Sequence, residues 1–402
     1  MPSAARFPVP MAPAEAVLDH PPRHLLDLRS PAEFAADHLP GAVNVPLFDD
    51  LERALIGTLY ARSSPEAAFE EGRRVTLARI TGFTREIAER CGWQMPEVDL
   101  AERVEALTRL GLHGLERELE PATELPRSDS TVAYCWRGGL RSRAVVAFLR
   151  GLGRGEVLGI DGGYRSFRRC VHARVEAWRA PPSFVLRGLT GVGKTLVLRA
   201  LERRRPGWVL DLEALAGHRS SILGMVGLEP ASQKLFESRL ERRLARGFEG
   251  ACVVEGESRK VGDVILPGGV WAAVDGGVAL ELTATPARRV RVLLEDYLAE
   301  EANREALARQ LPFLEERLGK RFHGELVGRL AGGREAELVE LLLERYYDPL
   351  YRHSEGGRSY AARFDSTDPE AAAAEIERWI EARTPSARTG SGLGAAPRAL
   401  AL

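Results

Sequence analysis

The stretch TVAYCWRGGLRSRAVVAFLRGLGRGEVLGIDGGYRSFRRC (residues 131–170) decides how the first half of the chain folds. TVAYC (131–135) is a short run of β-formers and reads as a buried strand. RSRAVVAFLRGLG (141–153) has a helical pattern closed by glycine. EVLGI (156–160) returns to strand, followed by GGYRSFR. Strand, loop, helix and strand in that order imply parallel βαβ packing.

Working outward, HLLDL (24–28) reads as another buried strand, and PAEFAADHL (31–39) as a helix entered through Ser30 with proline at its first position. Residues 50–118 carry helical periodicity and alternating charge, so a helical insertion is expected there. PATELPRSDS (121–130) is a loop by composition. A second α/β series starts at PPSFVLRGL (181–189) and continues through a helix at 194–205 and strands WVLDL (208–212), ACVVE (251–255) and VALEL (278–282). From 286 to 347 the pattern is mostly helical. The expected domains are 15–172, with the insertion at 50–118, and 181–352, with a C-terminal extension over 353–384. A disordered tail is expected over 385–402, where Pro, Gly, Ser and Ala dominate.

Composition narrows the function classes. The chain has 402 residues, 45% hydrophobic and 28% charged, as expected of a soluble protein with two or three domains. No run of 18 apolar residues suggests a membrane-crossing helix, and the proline-broken N-terminus lacks the apolar core of a secretory signal. A cytoplasmic location is the expectation. A net charge of −1 exerts no global pull on nucleic acid. Local arginine runs at 150–154, 165–169, 203–205, 242–246 and 287–291 are candidates for phosphate contact. Four cysteines (Cys91, Cys135, Cys170, Cys252) without a CxxC pair argue against a disulfide framework and against zinc.

Cys135 alone has chemistry written around it. It ends a strand, Gly138 and Gly139 let the following loop turn its amides inward, and a helix N-terminus comes next. Arg137, Arg141 and Arg143 add positive charge. Such a cradle suits a thiolate, a persulfide or a small oxyanion.

LLDLRSPAEFAADHLPGAVNVP, with Asp27, Arg29, Glu33, His38, Pro40, Gly41 and Asn44, resembles the N-terminal signature of the rhodanese family, and LGIDGGYRSF resembles its closing segment. The resemblance implies a persulfide-forming cysteine. The loop from Cys135 to Arg141 spans seven residues, one more than sulfurtransferase loops usually have. That length points to a larger anion. Tyr134 stands where cysteine-dependent phosphatases tend to have histidine.

GLTGVGKT (188–195) satisfies G-x-x-x-x-G-K-[ST] between an apolar strand and a helix, the context this phosphate loop requires. Gly188, Thr190, Gly191 and Gly193 shape the cradle, Lys194 neutralises phosphate, and Thr195 would ligate Mg²⁺. Only four of the 56 basic residues are lysine, so a lysine here is a specific choice. Asp211 and Glu255, at strand ends beside the loop, are candidates to hold Mg²⁺ or its water. His218 and Arg219 are candidates for substrate contact.

YCWRGGLRSR, GGYRSFR, GLTGVGKT, LDLEALAGHRSS, EGESRKVG and YYDPLY together resemble the tRNA 2-selenouridine synthase family over residues 15–352. The fold implied is a rhodanese-like parallel-sheet domain with a helical insertion, followed by a P-loop α/β domain with a helical C-terminal part. The resemblance implies exchange of the sulfur of wobble 2-thiouridine in tRNA for selenium from selenophosphate, through S-geranylation by geranyl diphosphate. The sequence departs from the family at Ser220, usually glycine, and at Gly256, commonly aspartate. An ATP-dependent sulfurtransferase or kinase–rhodanese fusion remains open, as does a redox and nucleotide sensor. Oligomeric state and a metal requirement are not legible.

Overall fold

The computed structural model describes residues 8–298, 300–354 and 357–384. They form two compact units. The first runs up to Ala177 and includes the later segment Ala231–Arg242. The second comprises Trp178–Pro230 and the chain from Arg243 onward. The tail expected over 385–402 lies outside the described residues.

The first unit is built on a parallel sheet of six strands: β1 (Val9–Ala12), β2 (His24–Asp27), β3 (Val43–Asn44), β4 (Pro121–Thr123), β5 (Thr131–Tyr134) and β6 (Val157–Ile160). Their order is β3-β2-β5-β6-β1-β4. β1 precedes residue 15, where the sequence pattern begins, and pairs with both β4 and β6. Its Pro10 breaks the strand signal, and β4 falls inside the segment read as a loop. Helices α1 (Ala14–Asp19), α2 (Pro31–Ala36), α7 (Leu140–Gly151) and α8 (Gly163–Ala177) accompany the sheet.

The insertion forms helices α3 (Asp50–Arg62), α4 (Pro65–Cys91), α5 (Leu100–Thr108) and α6 (Gly111–Glu118). The ends of α4 follow from local chemistry. Ser64 accepts from Ala67 N at 3.1 Å, Pro65 opens the first turn, and Gly92 closes the helix at φ 68°. Its apolar stripe, including Val75, Phe83 and Ile87, shares a core with Val146 and Leu149 of α7 and Leu26 of β2.

Unit two has the strand order β13-β12-β7-β9-β8, again parallel throughout. The strands are β7 (Ser183–Arg187), β8 (Val209–Leu210), β9 (Cys252–Glu255), β12 (Val278–Thr283) and β13 (Ala362–Asp365), while β10 (Lys260–Val261) and β11 (Val264–Ile265) make a separate hairpin. Around them lie α9 (Lys194–Arg204), α10 (Leu212–Ala216), α12 (Gly268–Gly276) and α18 (Pro369–Glu381). The helices α13 (Pro286–Leu298), α14 (Glu301–Leu318), α15 (Glu325–Ala331) and α16 (Glu335–Leu342) share an apolar core containing Leu293, Leu311, Leu326 and Leu342, and α17 (Asp348–Ser354) follows them. α11 (Gln233–Ala245) begins in the segment that belongs to the first unit. The extension over 353–384 is an integral part of the second unit: β13 is a sheet strand, and α18 packs in the core beside Leu198 and Leu201 of α9.

A buried ion pair organises the first unit below its sheet edge. Arg29 donates from Nε to Asp27 Oδ1 at 3.0 Å and from Nη2 to Oδ2 at 2.5 Å, with both side chains at most 1% exposed. Nη2 also donates to Asp37 O at 2.7 Å, and the guanidinium lies 3.9 Å from the Tyr164 ring centroid. Asn44 Nδ2 donates to the carbonyls of Asp27 and Arg29. Removing one partner of such a pair strands the other charge in the core. Arg29→Leu is expected to destabilise the first unit by about 3–5 kcal/mol, read as a lower urea midpoint; an unchanged midpoint would contradict this role.

Candidate functional site

Cys135 follows directly from β5, and its loop is sealed from behind by GGYRSF. Gly163, at φ 56°, lies so close that a Cβ there would sit 2.3 Å from Cys135 O and 2.4 Å from Gly138 N. Tyr164 N donates to Cys135 O at 2.9 Å, and Arg165 N to Trp136 O at 3.0 Å. Gly138 turns at φ 63° against Ile160 O, leaving no room for a side chain. Gly139 caps α7 without a side-chain bond. The amides of Arg137, Gly138 and Gly139 find no acceptor among the described residues, so they remain available to an anion.

The Cys135 side chain is buried, with Sγ 3.2 Å from Ser142 Oγ. Ser142 also reaches Gly139 O at 3.3 Å. Donating to sulfur instead, its hydroxyl would stabilise a thiolate. Ser142 sits inside the quoted loop but escaped notice, because a lone serine after arginine carries no signal of its own. Arg137 and Arg141 make no ion pair among the described residues and flank the loop as free cations. Arg143 is a correction: its Nη1 donates to Leu119 O at 2.8 Å, tying α7 to the insertion. Of the other cysteines, Cys91 and Cys252 are buried and Cys170 is half-buried. Burial first pushes Cys91 up to about 11 and Cys252 to about 12, and raises Cys170 as well.

In the second unit the phosphate loop joins β7 to α9. Gly188, Gly191 and Gly193 adopt φ of 145°, 80° and 87°, a region favouring glycine. The amides of Thr190, Gly191 and Gly193 have no acceptor among the described residues. Three contacts brace the loop. Arg289 Nε donates to Thr190 O at 2.8 Å while its guanidinium pairs with Asp348 at 3.1 and 2.5 Å. Ser366 Oγ donates to Val192 O at 2.6 Å. Lys194 Nζ reaches Gly188 O at 3.4 Å and Tyr351 Oη at 3.3 Å. Burial opposes the Lys194 charge, but Tyr351, Glu257 and Glu213 outweigh it and raise its pKa.

Thr195 Oγ1 donates to Glu213 Oε2 at 3.4 Å, and Glu213 N donates to Glu255 Oε1 at 2.7 Å. Glu255 Oε2 is buried without a hydrogen-bond partner. Asp211 caps α10 by accepting from Ala214 N at 2.8 Å. Burial first, then Asp211 and Glu213, hold Glu255 well above the carboxylate range. Glu213 is pushed up to about 8, by burial and then Glu257, against the pull of Lys194. Burial also raises Asp211 and Glu257. Glu213 and Glu257 thus complete a carboxylate cluster that the strand-end argument found only in part; both lay in the quoted segments LDLEAL and EGESRK. Among the described residues no three His, Cys, Asp or Glu side chains are arranged to hold a metal by themselves. Mg²⁺ would have to lean on phosphate oxygens, with Thr195 and an adjacent glutamate as protein donors.

His218 accepts from Ser220 N at 3.0 Å and is wedged between Gly224 and Gly262, whose Cβ atoms would fall 2.5 Å from its ring; burial lowers its pKa. Arg219 is committed internally, donating to Val226 O at 2.7 Å and Asp296 O at 3.2 Å over the Tyr297 ring. It braces the site and is not a free substrate contact. At position 256 a Cβ would lie 2.5 Å from Arg187 Cγ, which accounts for glycine there. Most arginine runs are likewise occupied. Arg203, Arg204 and Arg205 pair with Glu370, Glu377 and Glu381 of α18, and Arg243 donates to Val209 O and Gly207 O. Arg150 and Arg154 also bond carbonyls.

Ser220 holds φ 50°, the one positive value of a non-glycine among the described residues. Ser220→Gly is therefore expected to stabilise the second unit by about 0.5–1 kcal/mol, measured by chemical denaturation; a loss would show that its side chain matters more than the strain. The raised carboxyls bind protons more tightly folded than unfolded. The contribution of Glu213 is full below the ordinary glutamate value of 4.5 and is lost as pH rises through about 8. The urea midpoint of the ligand-free protein should fall over that window, and Glu213→Gln should flatten the fall; a rising midpoint would reverse the assigned sign.

Comparison with known proteins gives matches over both units. A family model described as the tRNA 2-selenouridine synthase AAA domain matches residues 181–384, and one for the rhodanese-like domain matches 12–73. A tRNA 2-selenouridine synthase of Chromohalobacter salexigens is 31% identical, covering 85% of this chain and 90% of its own. One from Cupriavidus pinatubonensis is 31% identical over 90% of this chain and 95% of its own. That of Bordetella bronchiseptica is also 31% identical, over 82% and 87%.

Proposed function

The chain belongs to the tRNA 2-selenouridine synthase family, and on that premise we propose that it replaces the sulfur of wobble 2-thiouridine in tRNA with selenium from selenophosphate, by way of an S-geranyl intermediate formed from geranyl diphosphate. The observation that carries this reading is the pairing, in one chain, of a cysteine loop with free amides and two free arginines and a phosphate loop with free amides and a half-buried lysine. A tRNA substrate fits a cytoplasmic enzyme, and no helix among the described residues is long and apolar enough to cross a membrane.

The division of labour follows from charge. The amides of Thr190, Gly191 and Gly193, with Lys194, bind the diphosphate and stabilise the pyrophosphate as it leaves. The thiocarbonyl sulfur attacks the geranyl carbon bearing that group, and N3 of the base gives up its proton. Alkylated sulfur is then a competent leaving group. Selenophosphate, an oxyanion larger than a lone sulfur, suits the seven-residue loop, where Arg137 and Arg141 meet its phosphate end. Cys135 orients the selenophosphate, whose selenium attacks C2 of the base and displaces geranylthiol, which leaves with a proton; water then cleaves the P–Se bond and inorganic phosphate departs. If Mg²⁺ takes part, it adds positive charge at the diphosphate. Arg165 and Arg169, exposed on α8 beside the Cys135 loop, are suited to tRNA phosphates.

Mass spectrometry of wobble nucleosides, from cells with and without this gene, tests the reading directly; identical profiles would refute it. Cys135→Ala should abolish selenation yet leave geranylated nucleoside to accumulate. Lys194→Ala should weaken geranyl diphosphate binding by roughly tenfold or more, whereas unchanged affinity in a direct titration would remove the phosphate loop from that task.

A further inference from the structure

Behind the Cys135 loop lies a buried polar chain that the proposed chemistry does not use. Tyr164, whose backbone amide holds Cys135 O, donates its phenol to Asp37 Oδ2 at 2.7 Å. Asp37 is fully buried, and its Oδ2 also accepts from Ser238 Oγ at 3.3 Å and faces Arg168 Nη1 at 3.6 Å. Arg168 in turn donates to Ser238 Oγ at 2.9 Å and Lys234 O at 2.9 Å, and pairs with Glu237. Arg29 packs its guanidinium on the other side, over Tyr164 and against Asp37 O.

Ser238, Glu237 and Lys234 come from the segment Ala231–Arg242, which is counted with the first unit although it is encoded after the phosphate loop. Further bonds fasten that segment there: Ser232 Oγ to Ala36 O at 2.7 Å, and Arg174 to Glu241 at 3.1 Å. Ser238 and Phe236 are fully buried. A buried carboxylate needs compensating donors, and here two of the residues that surround it, Arg168 and Ser238, are themselves oriented by this segment.

We propose that the segment Ala231–Arg242 is a positioning clamp for Cys135, acting through Ser238, Arg168, Asp37 and Tyr164 on the carbonyl that fixes the cysteine loop. Asp37, Tyr164 and Ser238 are positioning residues: none touches the sulfur, and each acts through the next. Loss of the Ser238 hydroxyl frees Arg168 and Asp37 to rearrange, Tyr164 loses its fixed acceptor, and the loop amides drift from the geometry that receives an anion.

The inference rests on the proposed role of Cys135, and the test keeps the two apart. In the full-length protein, thiolate absorbance is titrated against pH as the difference from Cys135→Ser, alongside tRNA selenation kinetics. Ser238→Ala and Tyr164→Phe are each expected to shift the Cys135 titration midpoint and to lower kcat roughly tenfold with KM for tRNA unchanged. The double variant should be no worse than the more severe single one, since both act on one chain. A Cys135 titration and kcat unaltered in both variants would overturn the clamp. Should Cys135→Ser itself retain full selenation, the proposed role of Cys135 fails, while the titration still decides whether the clamp exists.

Discussion

In a parallel sheet every strand delivers its carboxyl end to the same edge, and both sites of this protein depend on that constraint. In the first unit Asp27, Cys135 and the Gly162–Gly163 turn all follow strand ends, so the ion pair, the sulfur and the clamp carbonyls meet without long loops. In the second, Gly188, Asp211 and Ser366 follow β7, β8 and β13 and Glu255 ends β9, so all four reach the same sheet edge around one phosphate loop. Two anion cradles made of glycine amides thus arise from one architectural rule applied twice.

The cradles differ in how their surroundings are charged. Around Cys135 the free groups are cationic, Arg137 and Arg141 with no acidic partner. Around Lys194 the excess is acidic, with Glu213, Glu255 and Glu257 all held above their ordinary pKa first by burial. Desolvation makes those carboxyls proton-hungry, whereas a bound cation or a diphosphate with its counterion would change their protonation. The two sites therefore favour different ligands even though both use backbone amides.

Much of this was legible from residue patterns. Cys135, Gly138, Gly139 and the whole run from Gly188 to Thr195 were readable because local chemistry demands glycine, cysteine and lysine at fixed spacings. What escaped were elements defined only by distant partners. β1 carries Pro10 and β13 alternates charge with a single buried Phe364, so neither shows a strand pattern; β13 exists because it pairs with β12. Asp37 and Ser238 lie 201 residues apart and have no motif. Arg143, Arg203 and Arg219 looked like available cations, but length lets an arginine reach a carbonyl or carboxylate many residues away.

Ser366 fastens the Val192 carbonyl from 174 residues downstream, and α18 packs on the helix that the phosphate loop opens. The cradle is encoded early but completed late. During synthesis, a chain that has emerged only through β12 holds GLTGVGKT without its brace and with one face of α9 bare. Ribosomal order thus withholds a finished phosphate loop until β13 and α18 have been made.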